Sequence, residues 1–312
     1  MNALPLNRLG VHSSVDRVFP TSHLRSELAE LEVPVTVVSE SSLSGCDALV
    51  TFEYKETFLS AGLSWIHSVQ AGVDRFPFDR LQEEGIRLTS SAGIHGDSVG
   101  ETVLGFVLSF ARRLYRYRDA QARGEWQKEP WNASFTVAGE QLCVVGLGTL
   151  GRAIAARADG LGMDVVGVKR TPVPVDHVRR VYPTRELREA LQDARFVVLA
   201  VPLTEETEDL IGRAQLSAMP EDAYLINVAR GEVVDETALI GALRDGEIAG
   251  AGLDVFETEP LPSDSPLWDL EEVLVTPHVG GMSMNYCQRV GALVRENVRR
   301  MQGGRSLANQ VV

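Results

Sequence analysis

Short apolar runs alternate with amphipathic segments over the first hundred residues. The apolar runs lie at Leu9–Val11, Val33–Val38, Ala48–Val50, Trp65–His67 and Ile86–Leu88. Residues 24–31 instead carry apolar side chains at helical spacing. Strands that alternate with helices on this scale are typical of a parallel sheet with crossover helices. We therefore predict a first α/β domain.

A broad apolar face at helical spacing then extends from Glu101 to about Arg118 and predicts one long linking helix. A second alternation begins at Leu142. Its predicted strands are residues 142–145, 164–168, 196–201, 223–228, 250–255 and 273–276. Helices on both faces of these strands would give a doubly wound sheet. A final amphipathic helix, Asn285–Met301, is expected to pack on the first domain, so the chain crosses between domains near residues 98 and 283.

The second alternation opens on a glycine-rich turn. The apolar pair Val144–Val145 leads into Gly146, Gly148 and Gly151, and a helical pattern of small residues follows. A strand, a tight glycine turn and a helix start form the arrangement that holds a dinucleotide pyrophosphate on backbone N–H groups. The glycine spacing alone is weak evidence for dinucleotide binding, because other tight turns also use glycine. The predicted strand before it and the predicted helix after it supply the context that the motif requires.

The end of the next predicted strand indicates which dinucleotide binds. An acidic residue at this point hydrogen-bonds the ribose 2′-hydroxyl of NAD, whereas this chain has Lys169, Arg170 and Thr171. Cations there favour a 2′-phosphate. We predict that NADP(H) is the preferred cofactor and NAD(H) the alternative. The competing interpretation is that both cations are solvated loop charges.

Three residues of chemical interest each follow the carboxyl end of a predicted strand. They are Arg230, Glu259 and His278. Ligands of open α/β sheets bind outside those strand ends, so the three side chains are expected to converge on one crevice. Singly, they read as a surface cation, a loop acid and a structural histidine. Their joint placement favours an active site.

Composition narrows the classes of partner. The chain has 312 residues, is 44% hydrophobic and carries a formal net charge of −13, which disfavours nucleic acid and anionic membranes. No window approaches a membrane span, and Met1–Leu6 lacks a secretion pattern, so we expect a cytoplasmic protein. The cysteines Cys46, Cys143 and Cys287 are too scattered for a disulfide framework or a metal site, and we expect no metal.

Lysine accounts for only three of the 30 basic residues, at positions 55, 128 and 169. An acid-rich surface with arginine in place of lysine predicts a salt-adapted, halophilic protein. GC-rich codon usage, which also replaces lysine with arginine, is the alternative explanation. Composition alone leaves both open.

Six segments together resemble one family. They are Gln70–Asp74, the glycine turn, Val201–Thr204, Asn227–Gly231, Gly252–Phe256 and Thr276–His278. In this order the chain resembles the D-isomer specific 2-hydroxyacid dehydrogenases, in particular those like glyoxylate/hydroxypyruvate reductases, over essentially its whole length. The resemblance implies a Rossmann cofactor domain, residues 99–282, inserted into a flavodoxin-like substrate domain formed by residues 1–98 and 283–312.

The resemblance also implies roles in reducing small 2-oxo acids to D-2-hydroxy acids. Arg230 would fork onto the substrate carboxylate and carbonyl oxygen, and His278 would act as the acid/base. Glu259 would hydrogen-bond His278 and favour its protonated form. Gly72 and Val73 would meet the substrate carboxylate, unless they form an ordinary turn.

Further cofactor contacts are implied in the same way. Thr149 and Leu150 would offer backbone N–H groups to the pyrophosphate, although Thr149 stands where a larger or basic side chain is frequent. Asp254 would bind the nicotinamide carboxamide, with a strand-end cap as its alternative reading. The other implied contacts are Val201, Pro202, Thr207, Val228, Ala229, Arg230, His278 and Gly280.

The apolar helix from Glu101 suggests a symmetric homodimer, as is usual for the family. Two alternatives remain open at this stage. One is a phosphite-oxidising relative, which retains a similar catalytic trio. The other is a non-catalytic, NAD(P)-sensing interaction protein of the corepressor type, which shares the fold. His67 and His95 are taken as structural.

Overall fold

The computed structural model describes residues 6–312. Residues 1–5, on which part of the leader-peptide expectation rests, lie outside the described residues. The chain forms two compact units. Unit 1 contains the residues up to His95 together with Ser283–Val312, and unit 2 contains Gly96–Met282.

Unit 1 is built on a five-stranded parallel sheet. Its elements are β1 (Leu9–His12), α1 (Thr21–Glu27), β2 (Val35–Val38), β3 (Ala48–Thr51), β4 (Trp65–Ser68), α2 (Phe78–Glu83), β5 (Arg87–Ser90) and α9 (Tyr286–Gln302). Short 3-10 turns lie at Ser13–Arg17, Glu40–Ser42 and Glu56–Phe58. The strand order β2-β1-β3-β4-β5 is the flavodoxin-like order of a doubly wound sheet.

Alternate residues of the unit 1 strands feed two separate cores. Val11 and Val50 pack on one face with Val290 and Val294 of α9, whereas Leu49 and its neighbours pack on the other. Helices therefore cover both faces of the sheet. The C-terminal helix belongs to the core of the first unit, as its amphipathic pattern predicts.

Unit 2 is built on a seven-stranded parallel sheet. Its elements are α3 (Gly96–Ala111), α4 (Leu114–Ala122), β6 (Gln141–Val145), α5 (Thr149–Gly160), β7 (Asp164–Val168), β8 (Arg180–Tyr182), α6 (Leu187–Leu191), β9 (Phe196–Leu199), α7 (Arg213–Leu216), β10 (Tyr224–Asn227), α8 (Glu236–Arg244), β11 (Gly250–Leu253) and β12 (Val273–Val275). Its 3-10 turns lie at Thr184–Glu186, Gly231–Val233 and Pro266–Asp269. The strand order is β12-β11-β10-β9-β6-β7-β8.

The two faces of the larger sheet are both buried. Along β6, Cys143 and Val145 face one core, while Leu142 and Val144 face the other. This explains why its strands read as continuous apolar runs rather than as alternating ones. Two parallel-sheet α/β domains are thus the observed architecture, as the sequence predicts.

Two details differ from the sequence prediction. The single helix expected over 101–118 is two helices, because Arg113 takes a left-handed conformation with φ of 56° and ends the first. The apolar spacing continues through this break, so periodicity does not reveal it. Strand β8 was also not predicted, since only the middle of its three residues, Val181, is aliphatic.

No helix among residues 6–312 is long and apolar enough to cross a membrane. Within the same residues, no group of three or more histidine, cysteine, aspartate or glutamate side chains is arranged to hold a metal ion.

Candidate active site

The turn between β6 and α5 requires glycine at two of its three glycine positions, Gly146 and Gly151. Gly146 has φ of 101°, and a Cβ there would lie 2.6 Å from the carbonyl oxygen of Ala200. A Cβ on Gly151 would overlap the Gly146 carbonyl, so the start of α5 packs directly against the turn. Gly148 is the N-cap of α5 and has open space where a side chain would stand. Backbone N–H groups at this helix start are therefore open to an anionic ligand.

A cavity of about 450 Å³ adjoins this turn within unit 2. Residues from the ends of β6, β7 and β9 line it. Those predicted from the sequence are Gly146, Gly148, Lys169, Arg170, Thr171, Val201, Pro202 and Thr207. This cavity fits a dinucleotide. The backbone amides at the glycine turn and helix start, together with the two cations, suit phosphate groups, and the apolar walls suit the rest of the ligand.

Other predicted cofactor residues lie outside the lining of this cavity. Thr149, Leu150 and Gly151 form the first turn of α5, and Val228 and Ala229 follow β10. The structure adds three polar lining residues that the motif does not contain, Arg152, Thr184 and Glu206. Arg152 is one helical turn beyond Thr149, so helical spacing could have indicated it.

Arg230 lies on the loop after β10, and a buried asparagine shapes that loop. The amide nitrogen of Asn227 donates to the carbonyl of Arg230 at 2.8 Å, and its oxygen accepts from the N–H of Ala229 at 3.0 Å. The guanidinium of Arg230 is half-buried and donates to the Ala229 carbonyl at 2.7 Å. Asn227 is not among the site residues predicted from the sequence, although it lies three residues before Arg230 in the same matching segment.

Glu259 and His278 form a direct pair. Nδ1 of His278 lies 2.8 Å from Oε2 of Glu259, while Oε1 of Glu259 accepts from the N–H of Phe256 at 3.2 Å. Donation from Nδ1 to the carboxylate leaves Nε2 as the nitrogen for proton exchange with a ligand. Of the three residues expected to converge, these two are in contact.

The electrostatics of Glu259 reflect both neighbours. Partial burial on its own would raise the pKa of Glu259, but the hydrogen bond and charge of His278 outweigh it. The Phe256 N–H and the nearby charge of Arg230 act in the same direction, so the pKa of Glu259 is lowered overall. The side chain therefore stays ionised through neutral pH.

Asp254 holds the loop that carries His278. Its carboxylate accepts from the Thr276 hydroxyl at 2.6 Å and from the N–H groups of Val279 and Gly280 at 2.9 Å each. Its carbonyl accepts from the His278 N–H at 2.8 Å. His278 has φ of 54°, a backbone conformation that residues other than glycine rarely adopt. The buried aspartate thus fixes an unusual backbone, which is the capping role that the sequence left open.

Gly72 and Val73 lie in unit 1, in the loop after β4. The Val73 carbonyl accepts from the N–H of Phe76 at 2.9 Å, so a turn closes directly after them. His67 is fully buried, and both ring nitrogens meet hydroxyls, of Thr89 at 2.8 Å and of Ser91 at 3.1 Å. Burial lowers the pKa of His67 to about 3, in keeping with a neutral structural histidine.

The parallel sheet, the glycine turn and the adjoining cavity define the protein as one with a Rossmann-type nucleotide-binding domain. A sequence model of the NAD-binding domain of the D-isomer specific 2-hydroxyacid dehydrogenases matches residues 104–280. The chain belongs to this D-isomer specific 2-hydroxyacid dehydrogenase family.

Individual relatives cover most of the chain. A glyoxylate reductase of Pyrococcus horikoshii is 35% identical over 280 residues, which are 86% of this chain and 83% of the relative. A glyoxylate/hydroxypyruvate reductase B of Yersinia pestis is 37% identical over 77% of this chain and 74% of its own length. Among solved structures, a D-isomer specific 2-hydroxyacid dehydrogenase of Xanthobacter autotrophicus, in complex with NADPH and MES, is 32% identical with a TM-score of 0.84, covering 99% of this chain and 98% of that one.

Proposed function

We propose that the protein reduces small 2-oxo acids to D-2-hydroxy acids with NADPH as its preferred cofactor. The observation that carries the proposal is the hydrogen-bonded pair of His278 and Glu259, 2.8 Å apart, with the charge of Arg230 acting on the same carboxylate. A proton donor beside a substrate-binding cation is what carbonyl reduction requires. Relatives named as glyoxylate and glyoxylate/hydroxypyruvate reductases support this substrate class.

His278 would hold the transferable proton on Nε2. The Glu259 carboxylate accepts from Nδ1, fixes the ring orientation and stabilises the charged imidazolium. On reduction, Nε2 would donate its proton to the carbonyl oxygen of the substrate. In the oxidative direction the neutral ring would remove a proton from the hydroxyl, so the two directions should respond oppositely to pH.

Arg230 would orient the substrate. A planar guanidinium presents paired N–H groups that match a carboxylate and an adjacent carbonyl oxygen, which a lysine ammonium cannot do. The family resemblance also implies contacts from Gly72 and Val73 to the substrate carboxylate. The Asn227 hydrogen bonds hold the backbone of the loop that carries Arg230, so they fix the position from which its side chain extends.

The cavity beside Gly146 would hold the cofactor, with the pyrophosphate at the start of α5. When bound, the nicotinamide would supply the hydride to the carbonyl carbon. Lys169 and Arg170 line this cavity and would bind the 2′-phosphate of NADPH. The double substitution Lys169→Ala with Arg170→Ala should lower the NADPH-to-NADH ratio of kcat/KM by about tenfold or more, since each phosphate contact contributes about 1 kcal/mol or more. An unchanged ratio would refute the phosphate assignment.

We further infer a homodimer. Exposed apolar side chains recur between residues 108 and 131, at Leu108, Leu114, Tyr117, Trp126 and Trp131. The two tryptophans are almost fully exposed, at 101% and 95%, and exposed aromatic side chains are typical of interfaces. Light scattering after gel filtration should give twice the chain mass of 34.1 kDa; a monomer at micromolar concentration would contradict the inference.

The direct test of function is a steady-state screen. Glyoxylate, hydroxypyruvate, pyruvate and branched 2-oxo acids are offered with NADPH and with NADH, at low and high salt. We expect substrate-dependent NADPH oxidation with at least one small 2-oxo acid, and higher activity at high salt if the acid-rich surface reflects salt adaptation. NADPH oxidation no faster with any acid than without one would refute the proposal. Turnover of phosphite, or tight cofactor binding without turnover, would support the two alternatives instead.

A further inference from the structure

The nucleotide cavity contains one acidic side chain that the proposed function does not use. Its charged lining residues are Arg152, Lys169, Arg170 and Glu206. Glu206 is the single carboxylate among the described residues that line it, and it lies on the segment after β9. A negative charge in a cavity otherwise suited to a 2′-phosphate calls for an explanation.

The backbone that carries Glu206 is held in a fixed turn. The Thr207 hydroxyl accepts from the N–H of Thr204 at 2.8 Å and donates to the carbonyl of Pro202 at 2.6 Å. The N–H of Glu208 donates to the Thr204 carbonyl at 2.9 Å. The Thr207 side chain therefore closes the turn by hydrogen bonds to its backbone. Glu206 lines the cavity from this hydrogen-bonded turn.

Glu206 is ionised and lines the same cavity as Arg170. A hydrogen bond from the Thr204 hydroxyl and one from its own backbone N–H outweigh desolvation and lower the pKa of Glu206, and the charge of Arg170 lowers it further. Charge interactions are mutual, so the carboxylate also acts on the guanidinium. The cavity wall thus presents a negative charge at Glu206 together with the positive charge of Arg170 before any ligand binds.

The same cavity lacks the usual acceptor for a ribose hydroxyl, because Lys169 and Arg170 follow β7 where an acidic residue binds the 2′-hydroxyl of NAD. We propose that Glu206 sets the balance between the two nicotinamide nucleotides. Its carboxylate weakens binding of a 2′-phosphate by offsetting Arg170, and it accepts a hydrogen bond from the free ribose hydroxyl of NAD(H). This inference rests on the proposed nucleotide-binding function of the cavity.

The test is a binding measurement that needs no turnover. Adenosine 2′,5′-bisphosphate and 5′-AMP are titrated by calorimetry into the wild-type protein and into Glu206→Gln, which keeps the side-chain size and removes the charge. The ratio of the two affinities should shift two- to fivefold toward the bisphosphate, the range of one exposed charge interaction. The shift should shrink as salt is raised, because salt screens exposed charges.

Glu205→Gln is the matched control, since Glu205 is an exposed neighbour that does not line the cavity. It should leave the ratio within about 1.5-fold of the wild-type value, as expected for an exposed charge outside the cavity lining. An unchanged ratio in Glu206→Gln, or an equal shift in both variants, would overturn the role of Glu206 while leaving the proposed function intact. If the wild-type protein bound neither NADPH nor NADH, both proposals would be wrong. Equal melting temperatures of the three proteins would show that the fold is unchanged.

Discussion

Replacing Glu259 with glutamine should move the pH profile of the reaction to lower pH. Glutamine keeps a carbonyl oxygen that can accept from Nδ1 of His278, so the ring orientation is retained while the negative charge is lost. Reduction needs the protonated ring and therefore falls as pH rises. Because the pKa of Glu259 is lowered, its carboxylate is charged over the whole assay range and supports the protonated ring throughout.

The size of the effect follows from the geometry. Nδ1 of His278 and Oε2 of Glu259 are 2.8 Å apart. Two unit charges at a separation of about 4 Å attract by about 1 kcal/mol in water and by about 4 kcal/mol near a protein surface, where the effective dielectric constant is lower. The side chains are 42% and 28% exposed, which favours the weaker end of this range. About 1.4 kcal/mol corresponds to one pH unit, so an attraction of about 1 kcal/mol should lower the alkaline midpoint by about 0.7 pH unit.

The assay is the pH dependence of kcat/KM for NADPH oxidation with the best 2-oxo acid from the screen. In Glu259→Gln the acid limb of the oxidative reaction should also move to lower pH. Asp264→Asn, which removes an exposed carboxylate five residues further along, is the control and should leave both midpoints in place. A Glu259→Gln profile with unchanged midpoints, or with the alkaline midpoint raised, would refute the electrostatic role.

Two substitutions test how the site is held. Asp254→Asn removes the charged acceptor of three hydrogen bonds and should lower the free energy of unfolding by about 2 kcal/mol or more. It should also lower kcat at least tenfold, because the backbone around His278 loses the hydrogen bonds that hold it. A variant with both the stability and the kcat of the wild-type protein would contradict this prediction. Gly231→Ala places a Cβ on the backbone of Phe256 and should cost about 3 kcal/mol or more in urea unfolding. Gly241→Ala in α8 meets nothing within 4 Å and should be neutral or stabilising by up to about 1 kcal/mol; equal effects of the two would refute the packing argument.

The fold was predictable largely because its strands are buried on both faces. Continuous apolar runs marked β6 and β7 to within one residue, and the predicted C-terminal helix differs by one residue at each end. Strand β8 was not predicted because it is short and begins with a charged residue, Arg180. The break at Arg113 escaped because the apolar spacing of α3 continues into α4, while only the backbone conformation changes.

The site was less predictable where it depends on contacts between distant segments. Each residue of the trio follows a strand, so sequence order indicates that it lies at the carboxyl edge of the sheet. The clamp on the His278 loop depends instead on Asp254, 24 positions earlier in the chain, and on hydrogen bonds that only the folded sheet brings together. Glu206 lines the cavity from a loop whose turn is closed by Thr207. No sequence motif indicates that Glu206 lies at the cavity.

The proposed function depends on His278 as the proton donor in carbonyl reduction. The most direct measurement compares NADPH oxidation by the wild-type protein and by His278→Gln with saturating 2-oxo acid, alongside the NADPH dissociation constant of each. We predict that kcat falls at least a hundredfold, the usual contribution of a general acid, while NADPH affinity stays within about threefold, a change of less than about 1 kcal/mol. A His278→Gln variant that retained wild-type kcat would show that His278 is not the proton donor.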